Sequence, residues 1–136
     1  MKKLHEDFFT VYYENTDSSG FVYHTCYLNF CERARSNMIN QDFPEIAQIL
    51  KTNSRFFVVK KINANFFKPT FLFDRLKVVT FFNGNSYTSI NLIQKIIKEN
   101  IDIFELSVQL VWLNGKDKKP IKIPSNIISR FQSLEV

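Results

Sequence analysis

A single polar turn, at which the hydrophobic period changes, constrains the fold of this chain most. Before the turn, Phe9, Val11 and Tyr13 alternate with Phe8, Thr10 and Tyr12, a two-residue period that predicts a first strand with one covered face. The turn itself reads Asp17-Ser18-Ser19-Gly20. After it, apolar residues recur at helical spacing, with Thr25 as a plausible N-cap, which predicts an amphipathic helix of about four turns. The residues of this apolar stripe are Tyr27, Phe30, Cys31, Ala34 and Met38.

The rest of the chain predicts a short helix, four strands and a terminal helix. The short helix begins near Pro44, since proline favours the first helical turn. Asn83-Gly84 is a strong hairpin signal, and Lys98-Glu99-Asn100 predicts a further turn. The predicted strands cover 56–66, 76–82, 87–97 and 106–112. The apolar face of the terminal helix contains Ile127, Ile128, Phe131 and Leu134.

This order of elements predicts an α+β fold in one domain, residues 1–136. Tight turns force antiparallel pairing, so the long helix should pack against a curved antiparallel sheet. The composition, 45% hydrophobic and 15% aromatic, supplies a sizeable core. One helix covers only one face of such a sheet. We therefore expect a partner chain to cover the other face or an edge, as in a homodimer or homotetramer.

The net charge of +5 is compatible with an anionic partner. A phosphorylated small molecule, a nucleic acid and an acidic membrane surface all fit, and so does a merely solvated basic surface. Against nucleic acid, Arg33, Arg35 and the lysine pairs are not interleaved with exposed aromatic residues, because the aromatic residues mostly follow core periodicity. We therefore expect no nucleic-acid partner.

Neither cysteine predicts a disulfide, and the N-terminus predicts no export signal. Cys26 and Cys31 point in different directions from one helix, and Cys31 falls on the apolar stripe. Residues 1–9 contain acids and no apolar core segment, and no run is long enough to cross a membrane. We expect a cytoplasmic protein.

Asp17 is the first candidate for chemistry, and two interpretations are open. A turn aspartate before Ser-Ser-Gly commonly accepts hydrogen bonds from nearby backbone N–H groups and does nothing else. Alternatively, Gly20 lets the backbone approach a ligand, while Tyr23, His24 and Thr25 offer free N–H groups at a helix start. An acid that faces a donor-rich helix end is what acyl transfer requires.

His24 is the second candidate, although a lone histidine near a helix start is more often structural. His24 and Cys26 lie two positions apart and cannot face each other on a helix, so a Cys-His pair is disfavoured. His5 and His24 are the only histidines and no cysteine cluster joins them, so we expect no metal and no cofactor. A nucleophile elbow and a phosphate-binding Gly-rich loop are also missing from the sequence.

The stretch YYENTDSSGFVYHTCYLNFCERAR, residues 12–35, resembles a known pattern. It is similar to Y-x-D-T-D-x-x-G-x-V-Y-H-x-x-Y-x-x-x-x-E-x-A-R of the hotdog-fold acyl-CoA thioesterases, in the 4-hydroxybenzoyl-CoA thioesterase-like branch associated with the Tol–Pal system. NFFKPTFLFDRLKVVT and KPIKIP resemble later parts of the family pattern more weakly. Asn15 stands where an acid is common, and Thr70 stands where alanine is usual.

The resemblance implies a fold, a reaction and a set of site residues. The fold would be five antiparallel strands wrapped around the Tyr27–Met38 helix, in dimers with a continuous sheet and active sites at the subunit boundary. The reaction would be hydrolysis of acyl-CoA to a carboxylic acid and CoA. The catalytic acid falls on Asp17, the carbonyl-polarising helix start on Tyr23 and His24, and the motif tyrosine on Tyr13. Peripheral association with membrane-linked lipid enzymes is a further expectation.

Three points stay open from the sequence. Asp17 could act as general base on water or as nucleophile through an anhydride. The basic residues that would hold the CoA phosphates are predicted to be Lys60, Lys61, Lys68 and Arg75. The alternatives are a non-catalytic acyl-CoA or protein-binding module and a dehydratase that uses His24 as its base.

Overall fold

The computed structural model describes residues 1–133, which form five strands and three α-helices. The helices are α1 (His24–Asp42), α2 (Pro44–Thr52) and α3 (Ser125–Ser133). The strands are β1 (Lys2–Thr10), β2 (Arg55–Phe66), β3 (Arg75–Asn85), β4 (Ser89–Lys98) and β5 (Ile101–Asn114). A short 3-10 turn, Tyr13–Asn15, precedes the polar turn.

All five strands belong to one antiparallel sheet in the order β1-β3-β4-β5-β2. This architecture confirms the predicted α+β fold with one long helix against an antiparallel sheet. β1 and β2 are the two edge strands. The central strands β3, β4 and β5 form a meander, and its second turn contains Glu99 and Asn100, both with positive φ.

The core lies between α1 and the helix-facing side of the sheet. The buried residues of α1 are those of the predicted stripe: Tyr27, Phe30, Cys31, Ala34 and Met38. They pack against apolar side chains of the three central strands. Because every residue of the stripe is buried, the helical period in the sequence identified the core face of α1 correctly.

Two details near the start of α1 differ from the prediction. β1 ends at Thr10, so Tyr13 lies outside the strand and is 82% exposed. The N-cap of α1 is Tyr23, and the prediction of Thr25 was wrong. The chain leaves the sheet early because the 3-10 turn, closed by a hydrogen bond from the Asn15 N–H to the Tyr12 carbonyl O (2.9 Å), redirects it.

The predicted hairpin turn at Asn83-Gly84 was also wrong. β3 continues to Asn85, and the pairing shifts by one residue between Phe82 and Asn85. Gly84, at φ +91°, therefore belongs to a bulge, because a left-handed residue can absorb an extra position in a strand. The chain turns at 86–88 instead. A second register shift lies between Val59 and Lys61, at the point where Lys60 interrupts the alternation of β2.

α3 covers the far end of the core through Ile127 and Phe131, both buried. Leu134, the last residue of the predicted apolar face, lies outside the described residues. Within residues 1–133 there is no helix that is both long enough and apolar enough to span a membrane.

Candidate active site

The polar turn holds Asp17 by its own backbone. The Oδ1 atom of Asp17 accepts a hydrogen bond from the Ser19 N–H (2.8 Å) and another from the Ser19 hydroxyl. The Asp17 N–H donates to the Phe21 carbonyl O (2.9 Å), and Gly20 adopts φ +86°. The carboxylate is fully exposed to solvent. Hydrogen bonds from Ser19, first from its hydroxyl and then from its backbone, lower the pKa of Asp17.

The start of α1 offers two backbone donors. The Tyr23 N–H donates to the Asn15 carbonyl O (2.8 Å), so the prediction that this N–H is free was wrong. Within residues 1–133, the N–H groups of His24 and Thr25 have no recorded acceptor, as expected for the first turn of a helix. Their partial positive charge favours an oxygen that develops negative charge. Of the three N–H groups predicted to be free, those of His24 and Thr25 are therefore available to a ligand and that of Tyr23 is not.

A pocket of about 420 Å³ brings several of the predicted residues together. Asp17, His24 and Lys68 all line it. The remaining lining residues are largely apolar: Phe21, Val22, Tyr27, Phe66, Phe67 and Pro69. The His24 ring lies 4.5 Å from the Tyr23 ring and 6.4 Å from the Phe66 ring, centroid to centroid. An acid, a helix start and an apolar wall thus share one depression, which suits a polar reacting group attached to an apolar substituent.

Tyr13 lies on the other side of the polar turn. It lines a separate depression of about 490 Å³ with Asp17, Gly20 and Leu72, and His24 does not line that depression. The structure therefore brings Tyr13 to Asp17 but not into the pocket that contains the start of α1.

The four predicted CoA-binding residues are dispersed. Lys68 lines the pocket, whereas Lys61 lines a polar depression on the outer face of the sheet, beside Asn63 and Gln109. Lys60 is exposed on the edge strand β2. The Arg75 guanidinium lies 5.1 Å from the centre of the Phe8 ring at the opposite edge of the sheet. Lys68 is the one of the four that is placed beside Asp17.

Tyr27 and Thr70 form a buried contact that the sequence reasoning did not connect. The Tyr27 Oη lies 2.7 Å from the Thr70 Oγ1, and it accepts a hydrogen bond from the Thr70 N–H (3.2 Å). Burial raises the pKa of Tyr27, so the phenol is neutral at physiological pH. The only sequence signal was the unusual residue after Pro69, and it gave no hint of a partner 43 positions away.

In the part of the chain that the structure describes, no cluster of three or more His, Cys, Asp or Glu side chains is arranged to hold a metal ion. Cys31 is buried, and burial raises the pKa of its thiol to about 12. That thiol is protonated at physiological pH and is no nucleophile. The polar groups in the pocket include the Asp17 carboxylate, the His24 imidazole and backbone N–H, and the Lys68 ammonium group.

Comparison with protein families finds a match to the thioesterase-like superfamily over residues 11–131. The acyl-CoA thioester hydrolase YbgC of Escherichia coli O6:H1 is 35% identical over 124 residues, which cover 90% of this chain and 91% of the relative. The acyl-CoA thioesterase YbgC of Helicobacter pylori strain 26695 is 32% identical and covers 84% of this chain and 90% of its own length.

Solved structures give the same fold. A probable thioesterase from Bartonella henselae superposes with a TM-score of 0.79 at 28% identity, covering 88% of this chain and 98% of that one. Slr0204, a 1,4-dihydroxy-2-naphthoyl-CoA thioesterase from Synechocystis, has a TM-score of 0.86 at 18% identity, with 95% and 96% covered. The second likeness is one of fold alone.

Proposed function

Because the chain belongs to the thioesterase-like superfamily, with the hotdog fold that its strand order and single long helix display, we propose that Asp17 and the start of α1 carry out its reaction. The chain is an acyl-CoA thioester hydrolase. The reaction converts an acyl-CoA and water into a carboxylic acid and CoA. One observation supports this site most strongly: one apolar-walled pocket is lined by Asp17 and by His24, whose backbone N–H has no acceptor within residues 1–133.

Each group has a defined task in the reaction. The thioester carbonyl oxygen accepts hydrogen bonds from the N–H groups of His24 and Thr25, which stabilise the oxyanion of the tetrahedral intermediate. Asp17 either takes a proton from the attacking water or attacks the carbonyl carbon itself to form a mixed anhydride that water then hydrolyses. On either route the C–S bond breaks and CoA leaves as a thiolate that takes up a proton. The acyl group lies against the apolar wall that contains Tyr27 and Phe66.

Lys68 is the residue best placed to meet the CoA phosphates. It is exposed at the rim of the pocket, where a flexible ammonium group can follow an anionic ligand. Lys60, Lys61 and Arg75 do not line this pocket. A role for them in CoA binding would require that the ligand cross to another surface or another subunit.

One observation favours the alternative of a non-catalytic binding module. Ser19 occupies the Oδ1 atom of Asp17 with both of its donors, as in an ordinary turn aspartate. The same hydrogen bonds keep the carboxylate ionised, which catalysis also needs. Geometry alone therefore fits both functions, but the similarity to acyl-CoA thioester hydrolases favours catalysis.

We expect Asp17→Asn to lower kcat by roughly 10² to 10⁴, the range for loss of a general base, because the amide keeps the volume but loses the charge. CoA release, followed with a thiol reagent on saturated acyl-CoA substrates, measures this effect. The melting temperature should stay unchanged because the side chain is fully exposed. Activity within a few-fold of the unmodified protein would leave Asp17 as a turn residue only.

His24→Ala is the matched variant that separates a thioesterase from a dehydratase. In a thioesterase the backbone N–H at position 24 survives the substitution, so more activity should remain than in Asp17→Asn. In a dehydratase the imidazole is the base, and its loss should end water elimination from a 3-hydroxyacyl thioester. The thioesterase function would be contradicted if the protein eliminated water from the 3-hydroxyacyl thioester but released no CoA from a saturated acyl-CoA.

A homodimer through β2 completes the proposal. β2 is an edge strand whose residues 59–63 are all exposed, and no strand within residues 1–133 pairs with its outer side. Val59, Ile62 and Phe66 are 46%, 44% and 51% exposed. A second β2 would cover this apolar row and continue the sheet across the two subunits. A tetramer, a cytoplasmic location and an association with membrane-linked lipid enzymes stay predictions from the sequence.

A further inference from the structure

We infer that Tyr27 and Thr70 act together as positioning residues that fix one wall of the active-site pocket. This inference rests on the proposed function, because the wall in question faces the reacting groups of that site. The pair is called the hydroxyl clamp here, and it consists of the Tyr27 Oη, the Thr70 Oγ1 and the Thr70 N–H.

The clamp is buried and locally complete. Thr70 is 0% and Tyr27 is 4% exposed, so neither hydroxyl can exchange its partner for bulk water. Two contacts join them, at 2.7 Å between the hydroxyl oxygens and 3.2 Å from the Thr70 N–H to the Tyr27 Oη. Loss of one partner would leave a buried polar group unsatisfied, which costs more than an exposed hydrogen bond.

Thr70 joins three parts of the pocket through different atoms. Its side chain and N–H hold Tyr27, on the first turn of α1. Its carbonyl O accepts a hydrogen bond from the Val22 N–H (2.9 Å), two residues before His24. The two residues that precede it, Lys68 and Pro69, also line the pocket. One threonine thus links the helix start to the segment of Lys68 and Pro69.

The aromatic neighbours of Tyr27 transmit its position to the apolar wall. The Tyr27 ring stacks on Phe104 at 5.4 Å and meets the Phe66 ring edge-on at 5.9 Å. Phe66 is half-exposed, and its ring also contacts Phe104 at 4.9 Å, so Tyr27, Phe66 and Phe104 form one aromatic cluster. Rotation of the Tyr27 ring would therefore move Phe66 and change the width of the pocket where the acyl group lies.

The clamp predicts a specific kinetic signature. Thr70→Val removes the Oγ1 atom with almost no change in volume, and Tyr27→Phe removes the Oη atom. Each should lower kcat by about ten- to hundredfold, the scale of a displacement near 1 Å between reacting groups. Thr70→Ser keeps the hydroxyl and should restore kcat. The double variant should be no slower than the slower single variant, because the two residues act through one contact.

Thr80→Val is the control for simple loss of stability. Thr80 is also 0% exposed and its hydroxyl oxygen accepts a hydrogen bond from the Gln94 Nε2 (3.0 Å), but it does not line the pocket. The Thr80→Val variant should have a melting temperature as low as that of Thr70→Val, but its kcat should equal that of the unmodified protein. If Thr70→Val and Tyr27→Phe stay within twofold of the unmodified protein, or if Thr80→Val is equally slow, the clamp is not a positioning device.

Hydrogen exchange of the Val22 amide tests the clamp without turnover. It should exchange faster in Thr70→Val than in Thr80→Val, and equal rates would overturn the inference. Failure of the proposed function looks different: the unmodified protein would then release no CoA from any acyl-CoA. Active unmodified protein with unaffected clamp variants would overturn the clamp alone.

Discussion

At the scale of single residues, the carboxylate of Asp17 is both exposed to solvent and held in its ionised form by hydrogen bonds. It is fully exposed, yet its pKa lies below the ordinary value because Ser19 donates two hydrogen bonds to one oxygen. The second carboxylate oxygen has no protein donor within residues 1–133. Asp17 is therefore ionised over the whole neutral range and is free on one side to meet water or a thioester carbon.

Ser19→Ala should move the acid limb of the pH profile of kcat/KM to higher pH. The Ser19 hydroxyl stabilises the ionised carboxylate, so its removal raises the pKa of Asp17 and the active form is lost earlier as the pH falls. Initial rates of CoA release between pH 3 and 7 would measure the shift. Ser18→Ala is the matched control, since no bond from the Ser18 side chain to Asp17 occurs in residues 1–133. An equal shift in both variants would contradict the assignment.

At the scale of elements, the sequence predicted those whose type follows from local periodicity. The stripe of α1 and the alternation of β5 are long, and burial of one face follows directly from the period. The bulge at Gly84 could not be predicted from the hydrophobic period. Asn-Gly favours a turn locally, but the Ser86 N–H donates to the Ser89 carbonyl O (2.9 Å) and the hydroxyls of these serines lie 2.6 Å apart. These contacts place the turn at 86–88.

The candidate site likewise contains residues that the sequence predicted and residues that it did not. The polar turn and the helix start are adjacent in sequence, so one motif predicted both Asp17 and His24. Thr70 and Tyr27 are 43 positions apart, with α2 and β2 between them in the chain. Local sequence patterns contain no information about such a distant contact. The Tyr23 N–H was predicted to be free because a helix start normally leaves it so, but the 3-10 turn supplies the Asn15 carbonyl as its acceptor.

Gly115→Ala should destabilise the junction of β5, β2 and α2. A Cβ atom at position 115 would lie 2.2 Å from the Asn53 carbonyl O and 2.7 Å from the Ser54 carbonyl O, and backbone atoms cannot swing aside. The expected loss is about 1–3 kcal/mol in the free energy of unfolding, the usual cost of overpacking. Denaturant unfolding followed by circular dichroism would measure it.

Gly84→Ala is the comparison for that loss. A Cβ atom there meets nothing within 4 Å, so only the strain of φ +91° remains, about 1 kcal/mol. A smaller loss in Gly115→Ala than in Gly84→Ala would contradict the steric argument.

At the scale of the whole molecule, the two edges of the sheet are unlike. β2 carries the exposed lysines Lys60 and Lys61 but also an exposed apolar row of Val59, Ile62 and Phe66. β1 carries charged side chains, and ion pairs of Lys3 and Lys77 with Glu6 lie along it. Charged edges resist strand addition, and apolar edges invite it. The asymmetry favours one mode of self-association, through β2.

Ile62→Asp should convert a dimer into a monomer. A β2 pair centred on the exposed residues 59–63 would bring the two Ile62 side chains close together, and two buried carboxylates would repel each other. Light scattering at micromolar concentration gives the mass. Phe8→Asp, on β1, is the control for a charge added at an edge and should leave the dimer intact. A monomeric unmodified protein with a cooperative melt would contradict the dimer itself.

The strand order has a kinetic consequence. β3, β4 and β5 are joined by turns of two or three residues, so their contacts close short loops and can form early. β1 and β2 pair with strands far from them in sequence, and each closes a long loop at a larger entropic cost. The polar turn follows β1, and the Lys68–Thr70 wall follows β2. The pocket is therefore expected to assemble last during folding, and partial opening at either edge would abolish hydrolysis while the meander persists.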